Sequence, residues 1–412
     1  MKNILKQIGL FLMFMMIVFS IQAKVRKTVL IIVDGIPTDV IERLQVPVVF
    51  DIAKNGSFGY CYVGGAVGEY TQTPTISAVG YNTILTGTWV NKHNVYGNSN
   101  MKPDYNYWSI FRIAKEQKQK KTTAIFSGWT DNRTVLLGYK KPETNYMDID
   151  YIYDGYDNDT INYPHKDKDL HVFDYDETVS LNAAACIKEN APDFSWVYLW
   201  YTDDASHIAG NGKYFDEYVM KAGKQIERVW EAVKYREAHF DEEWLVILTT
   251  DHGRTENGYS HGGQSARERR TWVAMNKLGN NRLLEGRCAS VDIVPTICRF
   301  MNFNVPQLVR WEQDGIPIIG KIEIDNLSVS NYDKLLTLRW NCYSYQARAH
   351  LFVAISNSYQ ATGSEKWIDL GIIDLKNKEK VIDMSLLPQS KFYKFVLSND
   401  NGSINCWYKK SK

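Results

Sequence analysis

The run Lys27-Thr-Val-Leu-Ile-Ile-Val33 is apolar without alternation and rich in β-branched residues. That is the pattern of a strand buried on both faces of a parallel sheet. Thr122 to Phe126, Ser195 to Trp200 and Trp244 to Thr250 have the same look. Helix-like stretches lie around them, at Tyr107 to Gln119, Asp176 to Asn190 and Phe215 to Arg236. Strands alternating with helices predict an α/β domain over residues 24–310, with a mainly parallel sheet flanked by helices. In such sheets ligands bind beyond the carboxyl ends of the strands.

The pattern changes near residue 310. Short β-rich runs follow at Leu335–Trp340, His350–Ile355, Trp367–Ile373, Lys380–Met384, Phe392–Leu397 and Ile404–Tyr408, separated by turn residues such as Asn399-Asp-Asn-Gly402. They predict a small all-β sandwich over residues 327–412, joined by a linker at 311–326. At the other end, Lys2 and Lys6 precede an apolar run from Ile8 to Ile21 that closes on Ala23. That three-part pattern predicts a signal peptide over residues 1–23, and with it export to the periplasm or the extracellular space. No later window reaches about 18 uninterrupted apolar residues, so the mature chain is expected to have no stable membrane span.

Composition narrows the function classes. Among 412 residues, 48 Lys and Arg face 47 Asp and Glu, which argues against a nucleic-acid binder held by bulk charge. Six cysteines make Cys288–Cys298 and Cys342–Cys406 conceivable bridges in an exported chain, with buried thiols as the alternative. The absence of any Cys-x-x-Cys pair speaks against a cysteine zinc site. Oligomeric state leaves no readable mark.

The candidate chemistry lies where the strands end. Asp34 follows the first strand and precedes Gly35, Asp203 and His207 stand four apart after the third, and Asp251-His252 close the fourth. His261 lies just beyond, in Ser-His-Gly-Gly263. Each alone reads as a cap, a turn or a surface pair. Together, three carboxylates and three imidazoles on one sheet edge predict a metal centre, and six ligands divide into two three-ligand sites. Three imidazoles favour zinc over magnesium, with manganese as the alternative. A nucleophile is supplied by Thr75 or Ser77. The stretch from Ser77 to Thr86 reads as a helix closed by Gly87, which sets Ser77 at a helix N-terminus where an alkoxide and a phosphate are favoured. The bland alternative is a serine N-cap.

These residues in this order resemble the alkaline phosphatase superfamily, and most of all its nucleotide pyrophosphatase/phosphodiesterase branch. The resemblance covers about residues 27 to 303. It rests on Asp34-Gly35, on Ser77 ten residues before Gly87, and on His93 in Asn-Lys-His-Asn-Val95. Asn98, Asp203-Asp-Ala-Ser-His207, Thr250-Asp-His-Gly253, His261-Gly-Gly263 and Ser290-Val-Asp-Ile-Val-Pro-Thr296 complete it. It implies one zinc on Asp203, His207 and His261, and a second on Asp34, Asp251, His252 and the Ser77 hydroxyl. It also implies a phosphoseryl intermediate on Ser77, with Asn98 and a backbone N–H near Ser77 on the phosphoryl oxygens. The chain departs from that branch in having Ser77 for its Thr, Gly80 for its Asn, Ser206 for its Gly, and only nine residues between His252 and His261.

The resemblance therefore implies a two-metal hydrolase of small phosphate esters, nucleotides among them, and a diesterase in preference to a monoesterase. Related two-zinc monoesterases add a Lys-x-Arg pair after the strand that follows the nucleophile helix. An alignment sets Trp129 and Asp131 there, with Arg133 two residues further on. The competing readings are a phosphate monoesterase and, from another class, an inactive glycan- or nucleotide-binding protein. A sulfatase would need Cys-x-Pro-x-Arg, and Cys61-Tyr-Val-Gly-Gly65 does not fit it.

Overall fold

The computed structural model describes residues 24–344 and 346–410; the segment read as a signal peptide lies outside the described residues. Eight strands form the large sheet: β1 (Val25–Val33), β2 (Ser57–Tyr62), β3 (Thr123–Ser127), β4 (Tyr151–Tyr153), β5 (Phe194–Leu199), β6 (Glu242–Thr249), β7 (Arg270–Met275) and β8 (Cys288–Ala289). Their spatial order is β4-β3-β5-β1-β6-β7-β2-β8. Only β7 runs antiparallel to its neighbours β6 and β2. The expected α/β architecture is present, and the antiparallel strand makes the sheet mixed.

Strand β1 explains the continuous apolar run. Val29, Ile31 and Val33 pack into the core on one face of the sheet, and Leu30 and Ile32 into the core on the other. Helices cover both faces. The longest are α2 (Leu170–Asn190) and α4 (Lys213–His239); α1 (Ser77–Thr86) and α3 (Tyr201–Ala209) begin at the carboxyl-end edge, and α5 (Ile293–Met301) packs on α1 and β1. Helix α1 has the bounds read from sequence and closes on Gly87 at φ 68°, the left-handed C-terminal stop that glycine permits. The stretch from Tyr107 to Gln119 is helical only over Ile110–Lys115. Among the described residues no helix is long and apolar enough to cross a membrane.

Beyond α6 (Gln307–Glu312) come seven strands: β9 (Ile324–Tyr332), β10 (Leu335–Cys342), β11 (Arg348–Ala354), β12 (Ile368–Asp374), β13 (Glu379–Asp383), β14 (Phe392–Asn399) and β15 (Gly402–Lys409). They form two separate antiparallel sheets, ordered β13-β10-β9 and β12-β11-β14-β15. β9 begins inside the segment read as linker. All six cysteines are free: the conceivable bridges do not form, and Cys288 instead stands opposite Cys61 across β2 and β8.

Two buried lysines tie the four-stranded C-terminal sheet to the rest. Lys92 Nζ reaches Asp314 at 2.6 Å, the Glu312 carbonyl at 2.8 Å and Asn405 of β15 at 2.9 Å. Lys394 of β14 pairs with Glu312 at 2.6 Å and Glu365 at 3.4 Å, all three side chains within 2% of full burial. Removing one member of such a group strands charge in a low-dielectric interior. Lys394→Met should therefore destabilise the protein by about 3–5 kcal/mol in denaturant titrations. Lys224→Met, which breaks an exposed pair with Glu227, should change it by less than about 1 kcal/mol.

Candidate metal centre

Strands β5, β1 and β6 are neighbours, and their register decides where the acidic residues meet. Val33 pairs with Leu199 and Ile32 with Thr249, so the chain leaves all three strands at one level. Asp34 follows β1 directly, Asp251 and His252 stand two and three residues after β6, and Asp203 opens α3 one turn before His207. Gly35 makes the turn at φ 64°, and its N–H donates to Asp251 Oδ1 at 3.0 Å. A Cβ at that glycine would stand 2.7 Å from Asp203 Oδ1, so no side chain fits. Gly80 plays a similar part on α1, where an added Cβ would lie 2.9 Å from Asp251 Cβ. The helix packs close against Asp251 because residue 80 carries no side chain.

His261 comes from the loop between β6 and β7, which is anchored at several points. Thr75 Oγ1 donates to the Gly263 carbonyl at 2.9 Å and accepts from Gly262 N at 3.0 Å. Glu268 accepts from the N–H groups of Gly263 and Ser265. Ser206, the residue in place of the branch's glycine, is fully buried and donates to the Gly258 carbonyl at 2.7 Å. The shortened segment from His252 to His261 thus has its own fixings.

The three imidazoles are set for metal binding by their outer nitrogens. Nδ1 of His207, His252 and His261 lies 2.8, 2.9 and 2.9 Å from the carbonyls of Tyr259, Gly253 and Thr75. Each Nδ1 therefore carries the proton and each Nε2 presents a lone pair. Nε2 of His207 and His261 face each other at 3.1 Å, and His207 Nε2 lies 3.2 Å from Asp203 Oδ2. With Nδ1 donating in both rings, these two Nε2 atoms and the Asp203 carboxylate converge on a volume that a divalent cation would fit.

The second half of the centre converges in the same way. His252 Nε2 lies 3.4 Å from Asp34 Oδ1, 3.2 Å from Asp251 Oδ2 and 3.3 Å from Ser77 Oγ. Both carboxylate oxygens are buried without a hydrogen-bond partner. Asp203, His207 and His261 form one group of converging ligand atoms, and Asp34, Asp203 and His252 another, so Asp203 faces both halves. These mixed oxygen and nitrogen donors could hold divalent metal ions.

Charge accounting agrees. Burial, then Asp251 and Asp203, push the Asp34 carboxyl well above its usual range, and burial raises Asp251 to about 8. Burial opposes ionisation of Asp203 too, but Arg254 and the surrounding histidines hold it below the carboxylate range. Burial lowers His252 and His261, while the hydrogen bond to Asp203 raises His207. Divalent cations would relieve the carboxylates and use the neutral imidazoles.

Three site residues escaped the sequence reading. Arg254, fully buried, pairs with Asp203 Oδ1 and donates to the carbonyls of Asp203 and Gly35 at 2.9 and 3.2 Å. It directly follows Asp-His-Gly, and a cation was foreseeable beside three carboxylates. Tyr81 and Tyr198 both donate to Asp34 Oδ2, the latter at 2.8 Å, leaving Oδ1 directed at His252. Tyr81 stands four residues after Ser77 and so shares its helix face. Asn98 is exposed, and its Oδ1 accepts from Ala78 N at 2.9 Å, so that N–H is already engaged. His93 lies apart from the ligands, buried, with Nε2 3.0 Å from Thr83 Oγ1 and a pKa pushed down to about 3 by burial.

Comparison with known proteins follows this geometry. The family model for type I phosphodiesterase/nucleotide pyrophosphatase matches residues 28–286. No curated protein sequence matches. The chain is similar in structure to a 2-O GAG sulfatase, at 12% identity and TM-score 0.51, covering 87% of this chain and 85% of that one. It is similar to a putative sulfatase from Bacteroides thetaiotaomicron at 11% identity and TM-score 0.50, covering 88% and 86%. Murine ectonucleotide pyrophosphatase/phosphodiesterase 5 aligns at 12% identity and TM-score 0.44, covering 68% and 96%.

Two substitutions probe the centre. Asp251→Ala should lose bound metal and activity together, read by elemental analysis and turnover on one preparation. Gly80→Ala should force α1 away from Asp251, destabilising the fold by about 1–3 kcal/mol and lowering metal retention after dialysis.

Proposed function

Since the chain belongs to the type I phosphodiesterase/nucleotide pyrophosphatase family, within the alkaline phosphatase superfamily of hydrolases, we propose that it is an exported two-metal phosphodiesterase acting through Ser77. The observation that carries this reading is the contrast between two hydroxyls. Ser77 Oγ lies 3.3 Å from His252 Nε2 at the first position of α1. Thr75 Oγ1 is committed on both sides to the Gly262-Gly263 backbone.

Two divalent ions, on Asp203, His207 and His261 and on Asp34, Asp251 and His252, would offset phosphoryl charge and lower the pKa of the serine hydroxyl. Ser77 Oγ attacks phosphorus in line, and the P–O bond to the leaving alcohol breaks. Water then cleaves the phosphoseryl ester and returns the hydroxyl. The N-terminus of α1 favours the negative charge carried through both steps. Asn98, held by Ala78 N, would present its Nδ2 to a nonbridging oxygen.

The preference for diesters rests on the residues aligned with the cationic pair of the related monoesterases, Trp129 and Asp131, with Arg133 beyond them. A monoester dianion carries one more charge to neutralise. Trp129 packs on Tyr81 and Trp200, with ring centres 6.5 and 6.4 Å away, and Asp131 adds a carboxylate. Arg133 is bound through two nitrogens by Asp154, at 2.6 and 3.1 Å, so its charge is already matched. An aromatic surface, and the absence of an unpaired cation among Trp129, Asp131 and Arg133, would favour a monoanionic diester whose leaving group is a ring.

Ser77→Ala should reduce turnover by more than about 10³-fold with metal content unchanged, whereas Thr75→Ala should lose far less, through a loosened His261 loop. The reverse ranking would move the nucleophile. On wild-type protein, kcat/KM for methyl nitrophenyl phosphate should exceed that for nitrophenyl phosphate. A ratio well below one would make the enzyme a monoesterase, and metal-loaded protein inert toward both would make it a binder.

A further inference from the structure

Strand β8 is two residues long and closes one edge of the large sheet. Its pairing is limited to Cys288 with Cys61 and Ala289 with Tyr62 of β2. Other parts rest on it. Ala289 N donates to Asp292 Oδ2 at 2.9 Å, and Asp292 Oδ1 accepts from Ile316 N at 2.7 Å. Gly87, which ends α1, packs so near the Val291 carbonyl that an added Cβ would stand 3.2 Å from it. A strand this short has little backbone bonding of its own, so side chains must supply the rest of its hold.

Cys61 and Cys288 carry the chemistry for that hold. They stand directly opposite in the parallel ladder, and both side chains enter the same core, on the side of α1 and α5. Opposite residues of neighbouring strands lie about 4.8 Å apart, inside the range of about 4.4–6.8 Å between the Cα atoms of bridged cysteines. Among the described residues no other two cysteines occupy paired positions. Cys406 is opposite Phe395, Cys342 is opposite Ile324, and Cys186 and Cys298 belong to different helices. The neighbouring Cys288 thiol, and then burial, push the Cys61 thiol well above its ordinary pKa, which marks the two sulfurs as near neighbours.

We propose that Cys61 and Cys288 become joined by a disulfide when the chain folds in an oxidising compartment, stapling β8 to β2. Two S–H bonds are lost and one S–S bond forms, while two electrons and two protons pass to the disulfide of a thiol oxidant, which leaves as a dithiol. The thiolate is the attacking species and burial disfavours it, so the exchange takes place while the edge strand is still open. The bond would close a loop containing most of the catalytic domain, and a cross-link restricts the unfolded chain more as the loop lengthens. The proposal rests on the reading of the chain as exported, because a reducing cytosol keeps thiols unjoined.

The chain is produced with its own N-terminal segment and, separately, with residues 1–23 replaced by a borrowed secretion signal. The second product tests the bond even where the first shows the export reading to fail. Maleimide labelling under denaturing conditions, followed by mass spectrometry, should find two of the six thiols missing from the secreted product, with the Cys61 peptide joined to the Cys288 peptide. The same chain made in a reducing cytosol should keep all six. Dithiothreitol should lower the melting temperature of the secreted product by about 3 °C or more. Cys61→Ala combined with Cys288→Ala should remove that dependence, whereas Cys298→Ala should keep it. Should the double variant fail to fold, the thiol count and the reductant shift on the wild-type chain decide alone. Six free thiols in the secreted product, a bond between other cysteines, or a melting temperature indifferent to reductant would overturn the proposal.

Discussion

Three carboxylates buried at the ends of adjacent strands repel one another, and most of the catalytic half of this protein is arranged around that fact. Two such charges about 4 Å apart cost about 4 kcal/mol even at an effective dielectric of about 20. Arg254 offsets one of them and at the same time ties the backbone of β1 to that of α3. Tyr81 and Tyr198 spread the charge of Asp34 over two phenols. The remaining negative charge, together with three imidazoles oriented by their carbonyl partners, defines a space that could hold metal ions. The chemistry and the instability of the centre are one property.

The sequence made this arrangement legible at two levels. Strand β1 with Asp34, helix α1 with Ser77 and Gly87, and the closely spaced Asp203 and His207 could all be read because local pattern and chemistry coincide there. Other parts depend on contacts that local pattern does not encode. Strand β2 lacks the unbroken apolar run, since Ser57-Phe-Gly-Tyr-Cys-Tyr62 mixes residue types and is buried only at alternate positions. The helical stretch around Tyr107 ends early, at Lys115, before the polar run from Glu116 to Lys121. Arg254 needed a charge count, and the phenol pair needed the meeting of α1 with β5. The fit of Gly80 against Asp251 needed the distance between two backbones.

The departures from the family pattern are linked to one another. A glycine at position 80 lets α1 approach Asp251, and Ser206 fastens the loop that supplies the carbonyl for His207. The short His252–His261 segment is held by Thr75, Glu268 and that same serine. Each substitution changes a fixing and leaves the ligand atoms aimed at a common volume. The variation is in the supports, and the donor set stays within them.

The two lysine clusters have a consequence in the order of synthesis. Asn405 and Trp407, on the last strand, hold Lys92 and stack on Tyr70, with ring centres 5.3 Å apart. Residues made within the first quarter of the chain thus wait for the last few before their contacts close. While the ribosome is still at work, Lys92 has no anionic partner until Asp314 emerges and no amide partner until Asn405 does. A nascent chain halted before β15 would already pair Lys92 with Asp314 but would lack the Asn405 amide and the Trp407 ring, so the cluster would stay open to water on the side that the last strand closes.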